Sequence, residues 1–213
     1  MRRRFRLRRA VVIAIVAAFV LSWLQLPPPA PASTLIPRWR LLGNTVPWVD
    51  VRAHGAICDG STDDTAAIQA AITAVSTATQ PGIIALPLGD CVVSSTLTIQ
   101  EGQTLRGAGG INRGSGNPDT VKYPSRILWR GAATGTIIAV SATGNNGARI
   151  ERLGIDGNGL TTGTAIDLSG VGNNHLLDLE LTNYQGDDTS NSGTGILVST
   201  ITNRIENVSI SHF

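Results

Sequence analysis

The sequence is poor in the residues that most chemistry needs. Among 213 residues it has one lysine (Lys122), three histidines, two cysteines and nine aromatic side chains. With Lys122 the only lysine and, beyond the first 32 residues, more acidic than basic side chains, the sequence gives no support for the cationic stripe of a nucleic-acid surface, and no nucleic-acid partner is expected. His54, His175 and His212 stand apart from one another, which leaves neither a zinc-ligand spacing nor a nucleophile–histidine arrangement. Two cysteines are too few for a disulfide-dense miniprotein, and neither has a histidine close by in sequence to activate it. After residue 76 no second amphipathic helix is visible, which argues against an alternating βα fold.

The longest charge-free apolar run, Ala10 to Leu24, has 15 residues, short of the ~20 that cross a bilayer. It follows Arg2, Arg3, Arg4, Arg6, Arg8 and Arg9 and precedes Ala30-Pro31-Ala32, the pattern of a signal peptide over residues 1–32 with Ser33 as the first mature residue. A secreted or cell-surface protein is expected. The competing reading is an uncleaved anchor over residues 10–26 with Trp23 at the interface, the one route to a membrane. Six of the 17 basic residues sit in this leader, so the remainder sets eleven against 15 acidic ones and carries a net charge of −4. Residues 33–47 are proline-rich and read as a linker, with one domain over residues 48–213. Trp39 and Trp48 are expected to pack against it.

Asp59-Gly60 is a turn signal, and Ser61, Thr62 and Asp63 carry oxygens able to cap a helix start. Ser61 and Asp64 have capping-box spacing, and Asp63 and Asp64 place negative charge at the positive helix end. Ala67, Ile68, Ala71, Ile72 and Val75 then form one apolar stripe. The run from Val49 to Ile72, followed by Ile83 to Val93 and Thr104 to Gly109, resembles the N-terminal signature of the pectate-lyase superfamily in its rhamnogalacturonase- or epimerase-like branch. The resemblance implies an all-β fold, a right-handed single-stranded parallel β-helix (solenoid), with the short N-terminal α-helix capping its open end. Asp63 and Asp64 are then expected to be structural. Cys58, just before the helix, and Cys91, on an early strand, are placed to form a disulfide in an exported chain.

Two interleaved registers support a solenoid. Ile150-Glu151-Arg152-Leu153-Gly154-Ile155 aligns with the segments 176–181 and 205–210, and Gly135 to Val140 aligns with 163–168 and 193–198. The common period of 26–30 residues means at least two strands per turn, each apolar on alternate positions. Phe213 closes directly on the third copy of the first register with no covering segment. The expectation is a truncated β-helix, or an oligomer formed through the uncapped last turn.

The registers stack Arg152 with Asp178 and Asn207, and Gly154 with Glu180 and Ser209. Asp178 and Glu180 are therefore expected to project together from one strand face at ~7 Å, a spacing used by carboxylate pairs in glycoside hydrolysis. Gly186-Asp187-Asp188 is similar to the paired-carboxylate element of polygalacturonases, although the other elements of that family are missing. The candidate catalytic residues are Asp178, Glu180, Asp187 and Asp188, with Arg152 as a contact for sugar carboxylates. The expected function is cleavage of an acidic, pectin-like polysaccharide by hydrolysis or β-elimination, with Ca2+ as a cofactor only in the elimination case. The alternative is a non-catalytic adhesin, stalk or glycan-binding module.

Overall fold

The computed structural model describes residues 46–76, 82–109, 123–141, 147–158, 162–183, 193–200 and 202–210. The chain divides after Thr45 into two compact units, and all of these residues belong to the second. The expected leader and nearly all of the expected linker lie outside the described residues. Among the described residues no helix is long and apolar enough to cross a membrane.

Six successive turns carry the strands. The first holds β1 (Trp48–Asp50), a 3-10 turn (Val51–His54), β2 (Asp59–Asp63) and the helix α1 (Thr65–Ser76). The second holds β3 (Ile83–Ala85), β4 (Gly89–Val93) and β5 (Leu97–Gln100), and the third holds β6 (Thr104–Arg106), β7 (Ser125–Trp129) and β8 (Thr136–Ser141). Then come β9 (Arg149–Asp156) with β10 (Thr164–Asp167), β11 (His175–Thr182) with β12 (Thr194–Leu197), and β13 (Arg204–Ile210).

These strands stack in parallel to make three walls. Wall A consists of β1, β3, β6 and the first halves of β9, β11 and β13. Wall B consists of β2, β4, β7 and the second halves of the same three long strands. Wall C is β5, β8, β10 and β12. Both sequence registers pair as expected: Leu179 lies between Leu153 and Val208, and Ile166 between Ile138 and Ile196.

The first register nevertheless spans two walls, because each of its strands bends at its centre. Arg152, Asp178 and Asn207 sit at the bend with φ of 57°, 54° and 51°. This left-handed conformation opposes the normal preference of L-residues, and none of the three is glycine. Stacking holds them there: ladder pairs flank the column on both sides, and the Asn207 amide donates to Asp178 Oδ1 at 2.6 Å.

Alternate residues of each wall fill the interior, and Leu153, Ile155, Leu179, Leu181, Ile138 and Ile166 are completely buried. Each such side chain contributes about 1.5–3 kcal/mol. On the last described strands, β12 and β13, Ile196 and Val208 are only partly covered and Ile210 is 56% exposed. At the corner between walls C and A, the Asn203 carbonyl accepts from the backbone and side-chain amides of Asn174, whose own oxygen accepts the Ala148 N–H. This ladder gives buried turn backbone the partners it requires.

Helix α1 covers the first turn with Ile68, Ala71, Ile72 and Val75 facing the core. It also satisfies the open edge of β5, since the Gln69 side chain donates to the Thr98 carbonyl (3.3 Å) and accepts the Thr98 N–H (2.9 Å), as a neighbouring strand would.

The start of this helix differs from the sequence expectation. Asp59–Asp63 is a strand, and the helix begins only at Thr65. Asp59 closes the Ser61–Thr62 turn, while Asp63 accepts from the Thr65 amide and from the Ser94 hydroxyl across to the next turn. Asp64 is buried, and its carboxylate turns back to the amides of Ile57 (2.7 Å) and Cys58 (3.0 Å) instead of capping the helix. Cys58 and Cys91 form a disulfide between the first and second turns. Gly89 passes so close to Cys58 that a Cβ there would lie 2.4 Å from its carbonyl oxygen, and its φ of 121° also requires glycine.

Candidate functional site

The outer face of wall B brings together charged groups from four successive turns. Asp90, Arg126, Gly154 and Glu180 are consecutive rungs of one column, and Asp156 lies two positions beyond Gly154 on β9. Arg126 donates from Nε and Nη2 to Asp90 at 2.9 and 2.6 Å and from Nη1 to Asp156 at 3.1 Å. Asp156 also accepts the Asn158 amide (2.9 Å) and the Asn183 side-chain amide (2.8 Å). Gly154 leaves the space in the column that Arg126 and Tyr123 fill.

Glu180, 9% exposed, has a different environment. Burial pushes its carboxyl above the usual range, against the opposing effects of the Tyr123 N–H and the Arg126 charge. The guanidinium of Arg126 is held more firmly protonated by its hydrogen bonds to Asp90. A carboxyl that burial holds toward its protonated form thus lies one strand away from Asp156, which accepts hydrogen bonds from Arg126, Asn158 and Asn183.

The predicted site residues separate in the structure. Asp178 and Glu180 do not share a face, because the bend at Asp178 puts them on different sides of the corner, where Asp178 holds Asn207. Arg152 joins the Asp178 column as expected, but among the described residues no ion pair links the two. Asp187 and Asp188 lie outside the described residues. Sequence reasoning did not single out Asp90, Arg126 or Asp156 as site residues: the 36-residue step from Asp90 to Arg126 exceeds the regular period, and Arg126, although 28 residues before its rung partner Gly154, lies outside both registers. The polar residue at position 126, next to the buried Ile127, was the available signal.

Arg152 opens into a cleft of about 360 Å³ at the corner between walls A and B, lined also by Trp48, Asp50, Arg52, Arg106 and Gly107. Trp48 is 57% exposed rather than packed, and the Arg106 guanidinium lies 5.6 Å from its ring centroid. Glu151, almost wholly buried, accepts from the Nε atoms of both Arg106 and Arg149. Burial opposes ionisation of Glu151, but the two arginines outweigh it and hold the carboxyl below the usual range. Arg52 pairs with Asp50 at the cleft edge.

Among the described residues, the grouping of potential metal ligands is Cys58, Asp64 and Cys91. It cannot serve as a metal site, because both sulfurs are in the disulfide and Asp64 holds two backbone amides. Calcium does not fit the wall-B cluster either, since the Arg126 cation already occupies the position between Asp90 and Asp156.

A three-walled parallel solenoid covered at one end by a helix defines the class of parallel β-helix proteins. The chain belongs to the rhamnogalacturonase A/epimerase, pectate-lyase-like family, whose model matches residues 48–212. No match was found among curated proteins. Similar solved structures include the A-modules of two Azotobacter vinelandii mannuronan C-5 epimerases, AlgE6 (22% identity, TM-score 0.58) and AlgE4 (20%, 0.51). They match 75% and 70% of this chain and 43% and 41% of their own. ORF18 of Geobacillus virus E2 matches 64% of this chain at 24% identity and a TM-score of 0.53, over 26% of its own length. The chain therefore spans between about a quarter and under half of these structures, and the likeness is one of fold.

Proposed function

We propose that the protein is exported and cleaves an acidic polysaccharide by hydrolysis, with Glu180 as the proton donor and Asp156 as the carboxylate that takes a proton from water. The observation that carries this reading is the contrast between Glu180, held toward its protonated form by burial, and Asp156, set among three donors. In the step itself the Glu180 proton passes to the leaving glycosidic oxygen as the C–O bond breaks. A water molecule gives its proton to Asp156 and its oxygen to the anomeric carbon. The two side chains occupy diagonal rungs of neighbouring strands, since Glu180 pairs with Gly154 and Asp156 with Thr182.

Elimination is less well supported. It requires a base beside the proton α to the uronate carboxyl, and Arg126, the arginine of this cluster, is held protonated by Asp90. The test is release of reducing ends from polygalacturonate, followed in parallel with the ultraviolet absorbance of an unsaturated uronate. Glu180→Gln is expected to reduce cleavage by roughly 100-fold or more. Unsaturated product from the native chain would contradict hydrolysis. The second reading, a non-catalytic glycan-binding module, is favoured by the near closure of the Glu180 environment, and it predicts no cleavage by either form.

A further inference from the structure

We propose that the corner cleft between walls A and B is a second carbohydrate-binding site, separate from the wall-B carboxyl cluster, which seats one carboxylate-bearing pyranose of the same polymer. The proposal rests on the acidic-polysaccharide reading for its ligand class, and on the cleft alone for its position.

The cleft's charges are unbalanced in favour of an anion. Arg52, Arg106 and Arg152 line it with Asp50 as the lining carboxylate, and Arg52 is the arginine that Asp50 neutralises. Arg152 has no hydrogen-bond or ion-pair partner among the described residues. The left-handed backbone at this residue is what places its side chain on the corner. Arg106 is bound through Nε to the buried Glu151, so its terminal amino groups remain for a ligand while its orientation is fixed from below. A guanidinium held in this way presents the planar fork that matches a carboxylate, and little side-chain entropy is lost when the ligand arrives.

The remaining surface suits a sugar ring. Trp48 offers an exposed indole: the Arg106 guanidinium lies over one face of the ring, and the apolar face opposite can pack against pyranose C–H groups. Gly107 lines the cleft with bare backbone, and a Cβ there would lie 2.0 Å from the Arg152 carbonyl oxygen, so a side chain would collide with the neighbouring strand. The volume of about 360 Å³ suits one or two sugar units. None of these groups takes part in the Asp90–Arg126–Asp156–Glu180 cluster.

The test is calorimetric titration of the full chain with short oligogalacturonates and with their carboxyl-reduced counterparts. Native protein is expected to bind the acidic form and to lose most of its affinity for the reduced form. Trp48→Ala and Arg152→Asn should each weaken binding by about tenfold or more. Asparagine tolerates the left-handed backbone and already occupies the same column at Asn207, so Arg152→Asn keeps the fold and tests the charge alone. Unchanged affinity in both variants, equal binding of the reduced sugar, or no binding by the native chain would overturn the proposal. Loss of binding in Glu180→Gln would do so as well, by moving the site to wall B. A native chain that binds but releases no reducing ends contradicts the hydrolase reading and supports the cleft.

Discussion

Two outer surfaces flank the same corner of this solenoid and use charge in opposite ways. On wall B, Asp90, Arg126, Asp156 and Glu180 come from four turns and are bonded to one another or to nearby amides, and Asp156 and Glu180 are buried. At the wall-A corner, arginines outnumber the lining carboxylates and stand beside an exposed tryptophan. Proton transfer benefits from a desolvated carboxyl whose proton affinity is raised, whereas recognition of an anionic polymer benefits from oriented charge open to water. The repeat supports both because each rung can change its outward residue without disturbing the inward one.

The sharpest way to break this contrast is to remove Arg126. Arg126→Met leaves Asp90 and Asp156 without the cation they share, and, because the arginine and Asp90 are part-exposed, a loss of about 1–2 kcal/mol in urea unfolding at neutral pH is expected. If the loss is within ~0.5 kcal/mol, the range of ordinary surface substitutions, then wall B is no more closed than the corner.

Next in size is the pH dependence, where the two surfaces should have opposite signs. Glu180 has its folded-state value raised above the usual 4.5, so its stabilisation is fully present below that pH and is lost as pH rises through the raised value. Glu151 has its folded-state value lowered, so its stabilisation is present above 4.5 and is lost as pH falls through the lowered value. Urea midpoints measured across pH should show that Glu180→Gln removes a decline on the alkaline side and Glu151→Gln removes one on the acid side. The same sign for both would dissolve the distinction.

The smallest expected effect is on stability in Arg152→Asn, which should stay within ~0.5 kcal/mol of native because the side chain has no partner to lose among the described residues. A larger loss, read from the same unfolding curves, would mean that Arg152 belongs to the framework.

How far these surfaces were legible in the sequence follows from the repeat itself. Inward residues such as Leu153, Leu179 and Ile166 must recur at the turn period to build one core, so both registers and the parallel solenoid could be read directly. The third wall could not, because the bend carries Arg152, Asp178 and Asn207, three side chains with no common turn signature. That hidden bend also invalidated the expectation that Asp178 and Glu180 share a face. Arg152 and Glu180 each lie in a polar cluster, yet Asp90 was invisible because the 36-residue step to Arg126 does not keep the later spacing. Asp64 was misread for a local reason: its buried carboxylate serves the Ile57 and Cys58 amides upstream rather than the helix that follows.

The central claim is that Glu180 donates a proton in the hydrolysis of an acidic polysaccharide, and the most direct measurement compares the native chain with Glu180→Gln on polygalacturonate. The expected result is release of reducing ends without unsaturated product, lowered by roughly 100-fold or more in the variant while oligogalacturonate binding persists. Equal cleavage by both proteins, or an unsaturated product, would contradict it.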